Sequence, residues 1–164
     1  MAEKKSLKLN FIMNAILTMS SFLFPLISFP YVSRVLLSEG TGKVALATSV
    51  VAYFLMFAQL GIPTYGVRAC AKVRDDKRLL TKTAQELLII NLVMAAVAYA
   101  ALFGAVVFIP RLRQERGLYL LVSLTIFFTT IGMEWLYKAL EQYTYITVRS
   151  LIFKLIALAA MFAL

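Results

Sequence analysis

Histidine is absent from this chain, and cysteine occurs once, at Cys70. The first absence removes histidine-based metal sites and serine–histidine catalysis. A lone cysteine cannot form an internal disulfide, so Cys70 reads as a small structural thiol. Carboxylates are scarce too, 8 against 17 lysines and arginines, and only Glu134 falls inside an apolar stretch. No carboxylate pair is available within a span for acid–base work, so an enzyme is not expected. The glycine-rich segment Leu37-Ser-Glu-Gly-Thr-Gly42 is too short and wrongly spaced to cradle a phosphate. No cofactor and no metal are expected.

Apolar residues dominate what is present. They make up 62% of the 164 residues, and the mean hydropathy is +0.84. Soluble domains run near about 45–50% apolar. Five long apolar stretches cover residues 11–33, 44–65, 87–109, 118–136 and 145–164. Each is about 20 residues long, enough to cross a hydrocarbon core of about 30 Å as a helix. They do not alternate apolar with polar, as barrel strands do. The expected fold is all-α, a polytopic membrane bundle of about five transmembrane helices. The last stretch is still apolar at Ala163-Leu164. It reads as a fifth span cut before it is finished.

A net charge of +9 in a soluble protein suggests nucleic acid. Here the cations sit mostly between spans, so they set orientation and no nucleic-acid partner is expected. One side carries Lys4, Lys5, Lys8, the run from Arg68 to Lys82, Lys138 and Arg149, eleven in all. The other carries Arg34, Lys43, Arg111, Arg113 and Arg116. The positive-inside rule then puts the N-terminus in the cytoplasm. Contact of the charged 68–82 segment with anionic lipid headgroups is the lesser reading.

Polar residues inside the spans fall on faces. Asn14, Thr18, Ser21, Pro25 and Ser28 are spaced 4, 3, 4 and 3 in the first span. Both interhelical bonding and a cavity wall fit that stripe. Pro25 and Pro30 are expected to break this helix, and Gly61-Ile-Pro63 to break the second span. Ala96, Ala100 and Gly104 offer a small-residue packing row in the third. Ser123, Thr130 and Glu134 share a face in the fourth, with Lys138 four residues beyond Glu134 and suited to an ion pair. Tyr143, Thr147, Ser150 and Lys154 share a face in the fifth. Trp135, Tyr137, Tyr143 and Tyr145 suggest an interfacial aromatic belt.

Lys154 is the sharpest signal. It lies near the midplane, where a lysine costs about 2.5–3.5 kcal/mol on translocon scales. Two readings stand: structural neutralisation by a carboxylate such as Glu134, or a cationic binding group in a wet cavity. Snorkelling is the weaker alternative.

The run Ser28-Phe-Pro-Tyr-Val-Ser-Arg-Val-Leu36 is followed by Glu39-Gly-Thr-Gly42, Tyr53-Phe54, Leu60-Gly61, Tyr65-Gly-Val-Arg68 and Arg74-Asp-Asp76. This pattern resembles the N-terminal region of bacterial polysaccharide transporters. These are the Wzx-like lipid-linked oligosaccharide flippases of the multidrug/oligosaccharidyl-lipid/polysaccharide exporter superfamily. The run Glu134-Trp-Leu-Tyr-Lys-Ala-Leu-Glu-Gln-Tyr-Thr-Tyr-Ile-Thr-Val-Arg-Ser150, with Phe153-Lys154, resembles the same family's fourth and fifth spans. The resemblance implies about 12–14 helices in two lobes around a central cavity. This chain would supply part of the first lobe, with the missing C-terminal part as its partner. It implies a polyprenyl-pyrophosphate-linked oligosaccharide as substrate and alternating access in the bacterial cytoplasmic membrane. Arg34, Arg68, Glu134, Arg149 and Lys154 are then candidates for substrate binding or gating. Asn14, Thr18, Ser21, Ser28, Thr130, Thr147 and Ser150 are candidates for lining the cavity. The alternatives are a multidrug exporter of the same superfamily and a small membrane scaffold that transports nothing. The excess of cations argues for an anionic substrate over a cationic drug.

Overall fold

A computed structural model describes Leu7–Ala163; Lys4, Lys5 and Leu164 lie outside the described residues. Among those described there are helices and turns but no strand. The longest helix, α1 (Leu7–Gln59), carries one residue off helical geometry, Leu37 (φ 58°, ψ −176°). Leucine tolerates a positive φ only at a cost of order 1–3 kcal/mol. This kink divides α1 into residues 7–36 and 38–59. The expected turn over residues 37–42 is thus one residue wide, and Gly40 and Gly42 are helical. The helix also runs unbroken through Pro25 and Pro30, against expectation. Each proline only removes one donor, which frees the carbonyls of Ser21 and Leu26.

α1 stops where Leu60 (φ 42°) and Gly61 (φ 74°) turn left-handed, at the break the Gly61-Ile-Pro63 segment signals. A short helix, α2 (Ile62–Lys72), follows with Pro63 in its first turn. Asp76 caps α3 (Lys77–Phe108), accepting from the backbone N–H groups of Arg78 at 2.8 Å and Leu79 at 3.1 Å. The charged 68–82 segment is therefore mostly the ends of two helices. Pro110 opens the short α4 (Pro110–Gln114), and α5 (Arg116–Gly132) follows. Met133 (φ 42°) separates α5 from α6 (Glu134–Ala139), and α7 (Tyr143–Ala163) completes the order. The fourth span is thus interrupted just before Glu134.

Three groupings result. The second half of α1 packs with α3 and α5 around Ala47, Val51, Ala58, Ala95, Ala98, Leu102 and Ile126. Tyr99 on α3 donates to the Ser123 carbonyl on α5 at 2.6 Å. The packing face of α3 is Asn91, Ala95, Ala98 and Leu102. The Ala96, Ala100, Gly104 row is not that face: both alanines are exposed, and a Cβ on Gly104 would meet nothing within 4 Å.

The first half of α1 packs along α7. Thr147 Oγ1 donates to the Met13 carbonyl at 3.0 Å, Lys154 reaches Ser20 and Ser21, and Tyr31 meets Phe162 edge-on at 5.1 Å. Partners advance together along both helices, so the two run parallel, as the first and fifth spans of a multi-span protein must. The third grouping is α2 with α6. A Cβ on Gly66 would lie 2.7 Å from Trp135 Cε3, so only glycine allows this approach.

Ion pairs mark the two ends. Lys43 bonds Glu39 and Glu115, both at 3.0 Å, joining the turn after span one to that after span three. Arg74 bonds Glu141 at 2.9 Å, joining the loops after spans two and four. Alternate loops thus lie at opposite ends of the bundle. Apolar side chains point outward, with Phe11 75% and Phe108 85% exposed, while Asn91, Ser123, Thr130 and Thr147 are buried. Four helical stretches, 8–72, 77–108, 116–139 and 143–162, are long and apolar enough to cross a membrane. The kink at Leu37 makes two segments of the first. Outward apolar faces and inward polar groups are the arrangement a bilayer demands.

Candidate functional site: a cationic cleft beside span five

Lys154 sits midway along α7, and the register with α1 sets its neighbours. Its Nζ donates to Ser20 Oγ at 2.8 Å and Ser21 Oγ at 3.0 Å. Both serine hydroxyls in turn donate to the Leu17 carbonyl, at 2.8 and 2.9 Å. Each hydroxyl is therefore satisfied as donor and as acceptor. Among the described residues no carboxylate lies within 4.0 Å of Lys154. Glu134, expected as its neutralising partner, instead bonds Lys138 at 2.9 Å, the ion pair its four-residue spacing suggested. The hydroxyls solvate the ammonium without cancelling its charge.

A cleft of about 470 Å³ opens beside this lysine, lined by Ser21, Glu134, Arg149, Ser150 and Lys154 among others. Arg149 is held over the Tyr145 ring, 5.8 Å from its centroid, and its Nη1 donates to the Gly132 carbonyl at 3.5 Å. That carbonyl belongs to the last turn of α5, where helical acceptors are free. Tyr145 itself stacks on Tyr137 at 4.6 Å. Arg149 and Lys154 thus line one open cleft together with Glu134.

Glu134 lines two further clefts. One, of about 470 Å³, is shared with Gln59, Thr64, Arg68, Thr129, Trp135 and Lys138. The other, of about 340 Å³, is shared with Thr125, Thr129 and Arg149. The break at Met133 places Glu134 at this junction, because it ends α5 and swings the next residue away from the helix axis.

The remaining candidates are scattered. Arg34 is exposed one turn before the Leu37 kink and lines none of these clefts. Thr18 and Ser28 bond back to the carbonyls of Asn14 and Phe24, at 2.9 Å each, and Asn14, Thr18 and Ser28 also lie off the clefts. Thr130 and Thr147 are 2% and 1% exposed, so they pack between helices rather than line a cavity. Trp135 is 4% exposed against Gly66 and Cys70, so it is core rather than belt. Sequence reasoning missed Ser20 and Gln59. Ser20 lies off the 4-3-4-3 stripe, and Gln59 ends an otherwise apolar run.

The fold defines a multi-pass helical membrane protein with charged groups lining clefts between its helices. The pattern of the family described as "Polysaccharide biosynthesis protein" matches residues 7–164, and the chain belongs to that family. A relative from Escherichia coli (strain K12), named "Putative O-antigen transporter", is 24% identical over 153 residues. The match covers 93% of this chain and 37% of that relative, so the chain spans a little over a third of its length. No solved structure shows a significant match.

Proposed function

We propose that this chain forms the N-terminal helices of a transporter for polyprenyl-pyrophosphate-linked oligosaccharide in the bacterial cytoplasmic membrane. One observation carries this reading: Lys154 and Arg149 face a common cleft, and Lys154 is held by hydroxyls rather than by a carboxylate. A cation kept unneutralised at a helix midpoint is costly unless an anion visits it. A pyrophosphate headgroup is such an anion, while its polyprenyl tail can stay in lipid. The family and the O-antigen relative support a polysaccharide precursor as cargo.

The role is carriage, not chemistry. Hydroxyls and cations receive the headgroup, and rocking of one lobe against the other would expose the cleft to each side in turn. The basic bias of the Arg74 end supports a cytoplasmic location for that end and for the N-terminus. Arg34 and Arg68 lie outside the Lys154 cleft and suit gating contacts with the rest of the transporter.

The test is genetic complementation with the full-length gene. Lys154→Ala should cut surface polysaccharide about tenfold or more, and Lys154→Arg should restore part of it. Normal export by Lys154→Ala at normal protein level would overturn the assignment. A drug-resistance defect with intact polysaccharide would replace it with a multidrug exporter.

A further inference from the structure

Two helices are interrupted at matching places. α1 gives way to α2 at Leu60-Gly61, and α5 gives way to α6 at Met133. Leu60 and Met133 both hold a φ of 42°, which side chains with a Cβ adopt only under strain. The short helices beyond the breaks close on each other through Gly66 and Trp135. Discontinuous helices are where transporters commonly build substrate sites, because the interruption exposes polar groups at membrane depth.

The cleft at this double break differs in chemistry from the one beside Lys154. Its polar wall is Gln59, Thr64, Arg68, Thr129, Glu134 and Lys138. The Glu134–Lys138 pair is internally balanced at 2.9 Å. What remains is an amide, two hydroxyls and one guanidinium. Thr18, Ser21, Ser28, Thr48 and Thr130 all bond back to their own helices. Gln59, Thr64 and Thr129 make no side-chain hydrogen bond among the described residues. Their donors and acceptors are free for a ligand. A wall mixing donors with acceptors suits hydroxyl groups, each of which donates one bond and accepts others. A volume of about 470 Å³ falls within the usual range of small-molecule sites, about 300–1,000 Å³.

Glu134 lines both clefts, so they adjoin. We propose that the cleft at the double break is a saccharide subsite. The pyrophosphate lies toward Arg149 and Lys154, while Gln59, Thr64 and Thr129 hydrogen-bond the hydroxyls of the first sugar residues. Glu134, between the two, accepts from a sugar hydroxyl with a carboxylate lone pair that its bond to Lys138 leaves open. This subsite rests on the lipid-linked oligosaccharide reading above.

The test uses the full-length transporter in lipid nanodiscs and two probes: lipid-linked oligosaccharide isolated from the native host, and bare polyprenyl pyrophosphate. Gln59→Leu with Thr129→Val should weaken the glycosylated probe about tenfold, the order expected for one or two neutral hydrogen bonds. Binding of the bare probe should stay unchanged, which also shows that the double variant is folded. Lys154→Ala should weaken both probes. If the double variant binds both probes like the wild type, or loses both equally, the subsite is wrong and the Lys154 reading survives. If Lys154→Ala leaves both unchanged, the functional reading itself falls.

Discussion

The contact between Gly66 and Trp135 can be broken by one methyl group. In a free helix interior, Gly→Ala stabilises by about 1 kcal/mol. Here the new Cβ would sit 2.7 Å from Trp135 Cε3, 3.0 Å from Cδ2 and 3.2 Å from Cζ3. Trp135 is 4% exposed and is not the flexible end of a chain, so it cannot step aside cheaply. Overpacking costs about 1–3 kcal/mol, and a clash with three ring atoms puts this case in the upper part, about 2–3 kcal/mol, above the helical gain. Cys70 reports the outcome, because it is fully buried in the same cluster and is the one cysteine of this chain. Its burial shields the thiol, so the closed protein reacts slowly with maleimide. A net cost of roughly 1–2 kcal/mol should raise the labelling rate about 5- to 30-fold, since each 1.4 kcal/mol is tenfold in the open population. The measurement is made on the full-length protein with any cysteine outside this chain replaced by serine. Gly104→Ala is the control, since its methyl meets nothing within 4 Å and should leave labelling unchanged. In a Trp135→Leu background, Gly66→Ala should slow labelling, because the methyl then fills vacated space. Labelling of Gly66→Ala at or below the wild-type rate in the native background would refute the packing argument.

Paired cysteines test the order of the ends. Lys43→Cys should cross-link with Glu115→Cys, and Arg74→Cys with Glu141→Cys, with no cross-link between the two sets. An impermeant thiol reagent should reach the first set from outside the cell, and labelling of the second set instead would invert the orientation. Thr147→Val removes the bond to the Met13 carbonyl and should lower thermal stability in detergent by about 0.6–1.5 kcal/mol. Tyr99→Phe should do the same through the Ser123 carbonyl, and no loss in either variant would mean that these bonds add nothing.

The spans were legible because an apolar run of about 20 residues has few other uses. The break at Gly61 was legible because glycine and proline announce themselves. The break at Met133 was not, since a methionine in left-handed geometry carries no local signal and is held by the packing of α6 on α2. The prolines misled for the converse reason: a missing donor weakens a helix but need not end it. Lys154 was readable as an anomaly, while its partners were not. Finding Ser20 and Ser21 requires knowing that the first and fifth spans lie side by side and in what register. Helical periodicity carries no such information about a neighbour more than a hundred residues away. Thr130 and Thr147 show the same limit, because a polar face looks alike whether it meets water or another helix.

The parallel pairing of α1 with α7 also sets an order of assembly. The ribosome delivers the first span well before the fifth, so Ser20 and Ser21 enter the bilayer without their later partner. Their hydroxyls are already bonded to the Leu17 carbonyl, which lets the early helix wait in lipid without an orphaned donor. Their lone pairs stay open. When the translocon releases the fifth span, Lys154 meets two acceptors already fixed in place. The costly residue thus enters the membrane only after its receptor has been prepared by the first helix made.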